Sequence, residues 1–547
     1  MRKKHFLFAS VLALLCSSST LHAQDFKLTS SGYFKNQGVD VMAFDDIYPE
    51  GHQGGVCIIM NGHRVATNGD IRLEATPGQW QPVPKQLDRK LGDNSITATL
   101  CYPDSSRHLT GFNPMIYPDL HLIYTVNVES KGKNIEVTVD LDRPIPQEFI
   151  GKVGFNLEFF PGSLFGKPWI MDGQSGIFPQ QPNSPLMTTQ PNYLHTGNYH
   201  DGKKSLADMD KLIGKGYSPI VADDIISEPY AKGTKFTSRP DDPYNKVTIE
   251  SLSGDLQLFD GRMNHNNGWF VLRSNIKPGV TKGAVKWIIT PNVVADWMYQ
   301  PVIQTSQIGY HPTQDKEAVI EMDIRDNRKE TAQIIRIDAD GEKVVKNVTP
   351  ANWGKFLRYN YLKVNFTDVK EPGLYKIKYN TSVSPIFRID NDVYARGVWQ
   401  PVLEYFLPVQ MCHMRVNEKY RVWHDCCHMD DAQMAPAHNH IDGYDQKEGL
   451  SKFKPGEVVP GVNIGGWHDA GDFDLRIESQ AGESYILALA YEAFHPNLDV
   501  TSIDQINRVT EIHQPDGKND LLQQVENGAL TVVNGYLALG RLYRGII

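Results

Sequence analysis

The sequence predicts a multidomain protein: two β-rich segments that fold as sandwiches, followed by the first part of an all-α segment. Three observations carry this expectation. Apolar and polar residues alternate along much of residues 24–300, and the alternation returns in shorter runs over 301–391. From about Asp392 the apolar residues recur at helical rather than strand spacing. At 547 residues the chain has room for several domains, each with its own core. The composition is that of a globular protein, with 40% hydrophobic and 22% charged residues. A net charge of −9 gives no sign of nucleic-acid binding or of attraction to an acidic membrane, and leaves neutral polymers open as partners.

Residues 1–23 have the form of a secretory signal. Arg2, Lys3 and Lys4 precede an apolar run from Phe6 to Leu15, and Leu21-His22-Ala23 offers a small-residue cleavage site before Gln24. The run is too short to span a bilayer, and no later stretch is long enough either. Leu15 is bulkier than the small residue expected before a lipid-modified Cys16, so cleavage and export are expected rather than a lipid anchor.

In residues 24–300 the clearest element is a hairpin. Tyr124, Val126 and Val128 alternate with polar residues, Lys131-Gly132-Lys133-Asn134 reads as a turn, and Ile135, Val137, Val139 and Leu141 resume the alternation. Pro and Gly punctuate the rest, which makes a large sandwich the economical assignment. Trp169, Phe178, Trp269 and Trp287 suit either a hydrophobic core or an aromatic platform, and core is the expectation. Residues 301–391 have the size of one small sandwich. Ala318 to Ile324 and Ile334 to Ile337 are strand-like, Asp340-Gly341 is a hairpin turn, and Glu371-Pro372-Gly373 leads into Leu374 to Tyr379. Short strands with regularly spaced turns read as an immunoglobulin-like fold. In residues 392–547, Val398, Val402, Tyr405 and Phe406 fall at helical spacing, Ala481 to Phe494 is apolar with few breakers, and Leu521 begins a helix running towards Leu539.

Removal of the signal would leave five of the six cysteines, because the sixth is Cys16. An odd number in an exported chain argues against a pure disulfide framework. Cys57 and Cys101 are either a disulfide or two buried thiols. Cys412, Cys426, Cys427 and His428 cluster, with His438, His440 and His468 following. Thiolate and imidazole are the ligands of a structural zinc; a disulfide from Cys412 to Cys426 or Cys427 is the competing reading.

The densest chemistry lies in Gly465-Gly466-Trp467-His468-Asp469-Ala470-Gly471-Asp472. Two carboxylates three residues apart, flanked by glycines, can face one cavity and do general acid/base work, and an adjacent aromatic ring suits a sugar face. The bland alternative is a surface turn.

Taken together, Cys412, Cys427-His428-Met429-Asp430-Asp431-Ala432 and Gly466-Trp467-His468-Asp469-Ala470-Gly471-Asp472 resemble the start of the catalytic module of glycoside hydrolase family 9, the inverting cellulases. Gln307-Ile308-Gly309-Tyr310-His311-Pro312 and Glu371-Pro372-Gly373-Leu374-Tyr375 resemble the immunoglobulin-like domain that precedes such modules. The resemblance covers about residue 301 to 547 and leaves 24–300 without a role.

It implies an (α/α)6 barrel, hydrolysis of β-linked glucan with inversion, Asp472 as general base, and Asp469 helping to hold the attacking water. It also implies zinc on Cys412, Cys427, His428 and His468, structural rather than catalytic, fixing the backbone that presents the aspartates. Calcium, which the family often carries, has no ligands assignable here. The general acid of the family is a Glu near the far end of the barrel. Glu478, Glu483, Glu511 and Glu526 fall too early for that role, so the chain is expected to be a fragment of a longer module or a truncated product. Two other readings remain. One is a non-catalytic carbohydrate-binding protein with a degenerate hydrolase remnant; the other is a zinc hydrolase of a different type.

Overall fold

Strand propensity and alternation dominate the first 390 residues, and the computed structural model is accordingly built mostly of antiparallel sheet. It describes residues 25–45, 54–74, 76–77, 84–102, 120–183, 186–188, 225–263, 268–436, 449–470 and 473–546. The expected signal, residues 1–23, lies outside these, as do His438, His440 and Asp472. Among the described residues no helix is long and apolar enough to cross a membrane. The chain divides into two compact units, one reaching Tyr299 and the other beginning at Gln300.

The first unit is a large sandwich of two nine-stranded antiparallel sheets. The expected hairpin is present as Ile123–Lys131 and Asn134–Leu141, closed by a two-residue turn in which Gly132 takes φ +66°. Its alternating apolar residues are all buried, which is what period-two spacing does when one sheet face meets a core. Phe155 of one sheet stands edge-on to Trp287 of the other at 5.0 Å, and Phe159 to Phe236 at 5.8 Å. Trp169 and Phe178 are buried in the same core, and Trp269 packs edge-on to Phe160 at 4.5 Å. Those aromatics therefore build the sandwich. Cys57 and Cys101 are both buried, with the Cys57 sulfur against the Gly54 carbonyl and the Thr67 hydroxyl.

The central strand Val153–Phe159 is buried along its whole length. Phe155, Leu157 and Phe159 belong to the apolar core, whereas Asn156 enters a buried polar network. Asn156 Nδ2 donates to Glu74 Oε1 at 2.6 Å. Arg273 Nη1 lies 3.2 Å from the same oxygen, and Arg273 Nη2 donates to the Glu74 and Lys152 carbonyls. Nearby, Tyr124 donates to the buried Asp70 carboxylate at 2.9 Å, and burial pushes Asp70 up to about 6. A buried guanidinium is tolerable only because its protons all face acceptors.

In the second unit, residues 302–389 form an immunoglobulin-like sandwich of a four-stranded and a five-stranded sheet. The strands Glu317–Asp323, Ala332–Asp338 and Gly373–Tyr379 fall where the alternation predicts them. The core gathers Ile303, Ile320, Ile334, Leu362, Val364, Ile377 and Ile389, with Tyr310 wedged against Phe366 and Phe387. Lys316 is wholly buried, and its ammonium donates to the Pro312 and Gln314 carbonyls.

Beyond residue 392 the described residues hold three α-helices: α1 (Gln400–Tyr405), α2 (Ile477–Phe494) and α3 (Asp520–Leu539). A complete (α/α)6 barrel is not seen among them. A four-stranded sheet stands between the helices, ordered Arg421–His424, Arg415–Glu418, Val509–Ile512 and Thr501–Asp504. These strands are four residues each and half polar, too short for alternation to reveal, and they close a small core of Met411, Met414, Val416, Trp467, Ile503 and Ile512. Helix α3 is capped by Asn519, whose side chain accepts from the Leu521 amide, and ends at Gly540 with φ +71°.

Arg273 and Glu74 give the first prediction. Arg273→Leu leaves Glu74 buried without its cation and should cost the first unit about 3–5 kcal/mol. The double variant with Glu74→Leu should recover much of that loss. Urea unfolding of the four species checks this; equal losses in the single and double variants would remove the network from the account.

Candidate functional site

The residues singled out by the sequence meet because two backbone segments are laced together. Gln410–Cys412 runs beside Gly466–His468: the Cys412 amide donates to the Gly466 carbonyl at 3.0 Å and the His468 amide to the Gln410 carbonyl at 2.6 Å. Met411 and Trp467 form the bridge between them. His413 adds a side-chain tie, its Nδ1 donating to the Gly465 carbonyl at 2.8 Å. Gly465 and Gly466 take φ of +73° and +91°, and a Cβ on Gly465 would fall 2.3 Å from the Asn527 carbonyl of α3. No other residue type fits that approach.

Trp467 is wholly buried, which corrects the expectation of a ring offered to a sugar. Its amide and carbonyl are clasped by Gln480 and its indole Nε1 donates to Gln524 at 3.0 Å. Gly528 of α3 leaves the space that the indole occupies; a Cβ there would lie 2.3 Å from the ring. Trp467 thus anchors the loop that precedes α2 against both α2 and α3.

Cys412, Cys427 and His468 place their ligand atoms within 4.8 Å of one another. Cys427 Sγ is 3.4 Å from Cys412 Sγ and 3.4 Å from His468 Nε2. Tetrahedral zinc with bonds of about 2.3 Å to sulfur and 2.0 Å to nitrogen requires ligand separations of about 3.5–3.8 Å, so this donor set fits such an ion closely. His428, expected as the fourth ligand, falls outside this group of three: its ring centroid is 5.3 Å from that of His468, and its buried Nδ1 makes no hydrogen bond and lies 3.9 Å from Asp431 Oδ2. A second orphan, His468 Nδ1, is buried alongside. Hydrogen bonding from Cys412 holds the Cys427 thiol down at about 3, whereas burial pushes the Cys412 thiol up. Cys426 sits apart, its sulfur 4.0 Å from the Arg508 carbonyl.

Asp469 follows His468 directly, so the cluster and the carboxylate share one backbone. Ser479 of α2 donates to Asp469 Oδ1, and Arg476 Nε lies 3.8 Å from Oδ2. The Asp469 amide donates to the Asp474 carbonyl at 2.7 Å. The half-buried Asp469 therefore has a fixed orientation. Ser479, Arg476 and His413 carry no signal in the sequence, because their roles depend on contacts across the fold. Glu483, set aside in the sequence as too early for the general acid, lies one helical turn after Ser479 on α2. Its Oε2 is buried without a partner, and burial, with the Asp469 carboxylate adding to it, pushes Glu483 up to about 7.

A pH dependence follows from Glu483. Its ordinary value is 4.5 and its value in the fold is about 7, so folding favours the protonated form. The unit should therefore lose stability as pH rises from about 4.5 to 7 and change no further from this group above that. Melting temperatures across pH 4–8 should fall less steeply in Glu483→Gln than in the unaltered protein; parallel curves would show that Glu483 titrates normally.

Residues 298–384 match the family described as the cellulase N-terminal immunoglobulin-like domain. No curated protein matches the chain. Among solved structures, similar chains include a zinc-binding triple mutant of the glycoside hydrolase family 9 endoglucanase J30. It is 23% identical over 41% of this chain and 38% of its own, with TM-score 0.31. The endoglucanase J30 structure itself gives 22%, 41%, 38% and 0.30. A Bacteroides ovatus family 9 protein is 20% identical over 45% of this chain and 41% of its own, with TM-score 0.32. The chain spans about two fifths of the length of these three structures. A cellulase-type immunoglobulin-like domain over residues 298–384 is what these comparisons establish.

Proposed function

We propose that this chain belongs to an exported glycoside hydrolase that cleaves β-linked glucan with inversion. In this reading residues 1–23 are a cleaved signal, 24–300 a sandwich of separate role and 301–391 the immunoglobulin-like domain. Residues 392–547 are the N-terminal part of an (α/α)6 catalytic module. The observation that carries the reading is the orientation of Asp469 by Ser479 and Arg476, directly after a histidine laced to a cysteine pair.

Zinc, held by Cys412, Cys427, His468 and His428, would supply a rigid cross-link between the two laced segments. The chain's own residues then do the chemistry. Asp472 takes the proton of the attacking water as general base, and Asp469 accepts a hydrogen bond from that water and orients it. Ser479 and Arg476 keep Asp469 from turning away. Inversion also requires an acid to protonate the departing oxygen, with the two carboxyl groups about 6.5–9.5 Å apart. None of this chain's glutamates is assigned that role. The polymer is cellulose, mixed-linkage glucan or xyloglucan in type. A carbohydrate-binding protein without catalysis is the alternative.

In protein expressed from its complete reading frame, Asp472→Ala should lower reducing-sugar release from soluble β-glucan by about 100-fold or more with melting unchanged. Undiminished release would exclude Asp472 as base, and glucan retention by an inactive unaltered protein would favour the binding reading. Cys427→Ser should lose about one equivalent of zinc by elemental analysis and melt earlier, because a structural metal contributes directly to folding. Unchanged metal content would defeat that ligand set.

A further inference from the structure

The four-stranded sheet of the immunoglobulin-like sandwich turns an aromatic face outward. The hairpin Ala351–Phe356 and Tyr359–Asn365 supplies it. Along Tyr359–Asn365, Asn360, Leu362 and Val364 are buried, which leaves Tyr359, Tyr361 and Lys363 on the outer side. In the partner strand one extra residue is accommodated between Asn352 and Gly354, whose pairing slips from Leu362 to Tyr361. That residue is Trp353, and Gly354 takes φ +127° to admit it. A bulge re-aims the side chain it carries, and Trp353 stands edge-to-face over Tyr361 at 5.7 Å while remaining 57% exposed. Tyr359 lies 6.1 Å from Tyr361, and Phe356, paired with Tyr359, is 56% exposed. Trp353, Tyr361, Tyr359 and Phe356 thus follow one another along a single sheet face.

The ionisable groups on this face are matched within it. Lys363 Nζ lies 2.8 Å from Glu317, and Glu321 accepts from the Tyr361 hydroxyl at 3.0 Å. Arg358 stands beside Tyr359, so among the described residues the face carries charges of both signs rather than the row of cations that a phosphate backbone requires. What remains is a row of ring faces and edges bordered by hydroxyl, carboxylate and ammonium groups. Such a surface suits a neutral polyhydroxylated chain: aromatic rings cover the apolar faces of its rings, and the polar border takes its hydroxyls. We propose that the Trp353–Tyr361–Tyr359–Phe356 face binds a linear neutral β-linked glucan, as an accessory site separate from the carboxylates of the hydrolase module. The choice of polymer rests on the glucan reading above.

The test is affinity electrophoresis of the full chain in native gels containing soluble mixed-linkage β-glucan. The unaltered protein should be retarded. Trp353→Ala should weaken the apparent Kd by about tenfold, the usual loss when one aromatic anchor is removed, and its melting temperature should not move. Phe356→Ala, at the other end of the row, should weaken it in the same direction. Asp472→Ala should be retarded like the unaltered protein, which separates this site from catalysis. Retardation equal in Trp353→Ala and unaltered protein, or absent from both, overturns the proposal. So does a smaller hydrodynamic radius in Trp353→Ala, which would make the face a contact between copies of the chain. Glucan hydrolysis is scored in parallel: its absence defeats the hydrolase reading while leaving retardation to decide this one.

Discussion

The pairing of Gln410–Cys412 with Gly466–His468 is the constraint on which the site depends. Two short backbone hydrogen bonds and one bridge bring together residues more than fifty positions apart, and every later feature of the site uses that alignment. Cys412 and His468 reach a common centre because they sit on the two laced segments, and Cys427 closes it from the following loop. Asp469 is presented at a defined angle because the residue before it is held. A pairing this short is weak alone, since each backbone hydrogen bond contributes only about 0.5–1.5 kcal/mol net. The burial of Trp467 beneath it, with all its polar groups satisfied by Gln480 and Gln524, supplies the larger share.

The two regions of the chain solve the burial of polar groups differently. In the first unit, Arg273, Glu74 and Asn156 lie inside a large sheet and satisfy one another. Near the laced segments the opposite holds: His428, His468 and Glu483 keep buried polar atoms without partners. Orphaned atoms are costly, and they persist where a ligand or proton completes them. Arg72 Nε in the first unit also lacks a hydrogen bond, so what sets the laced segments apart is that three such side chains gather around one cluster.

The immunoglobulin-like sandwich shows how a single inserted residue changes a surface. Without the bulge at Trp353 the edge strand would keep strict alternation, and the indole would share the row less closely with Tyr361. Its core, by contrast, is ordinary alternation, with Tyr310, Phe366 and Phe387 filling one end.

The sequence by itself determined the strands. The hairpin around Gly132 and the strands at Glu317–Asp323 and Gly373–Tyr379 follow from period-two alternation and turn residues, which are local properties. It also singled out the side chains whose chemistry suits metal binding and acid/base work, because thiols, imidazoles and paired carboxylates are recognisable by type. Only the tertiary structure decided that Trp467 is a buried anchor rather than an exposed platform, since an aromatic beside a glycine pair is compatible with both. It alone joined the four-residue strands around Val416 and Ile512 into a sheet, and put Ser479, Arg476 and Glu483 beside Asp469. Those outcomes depend on contacts between segments distant in the chain, and no local pattern encodes them.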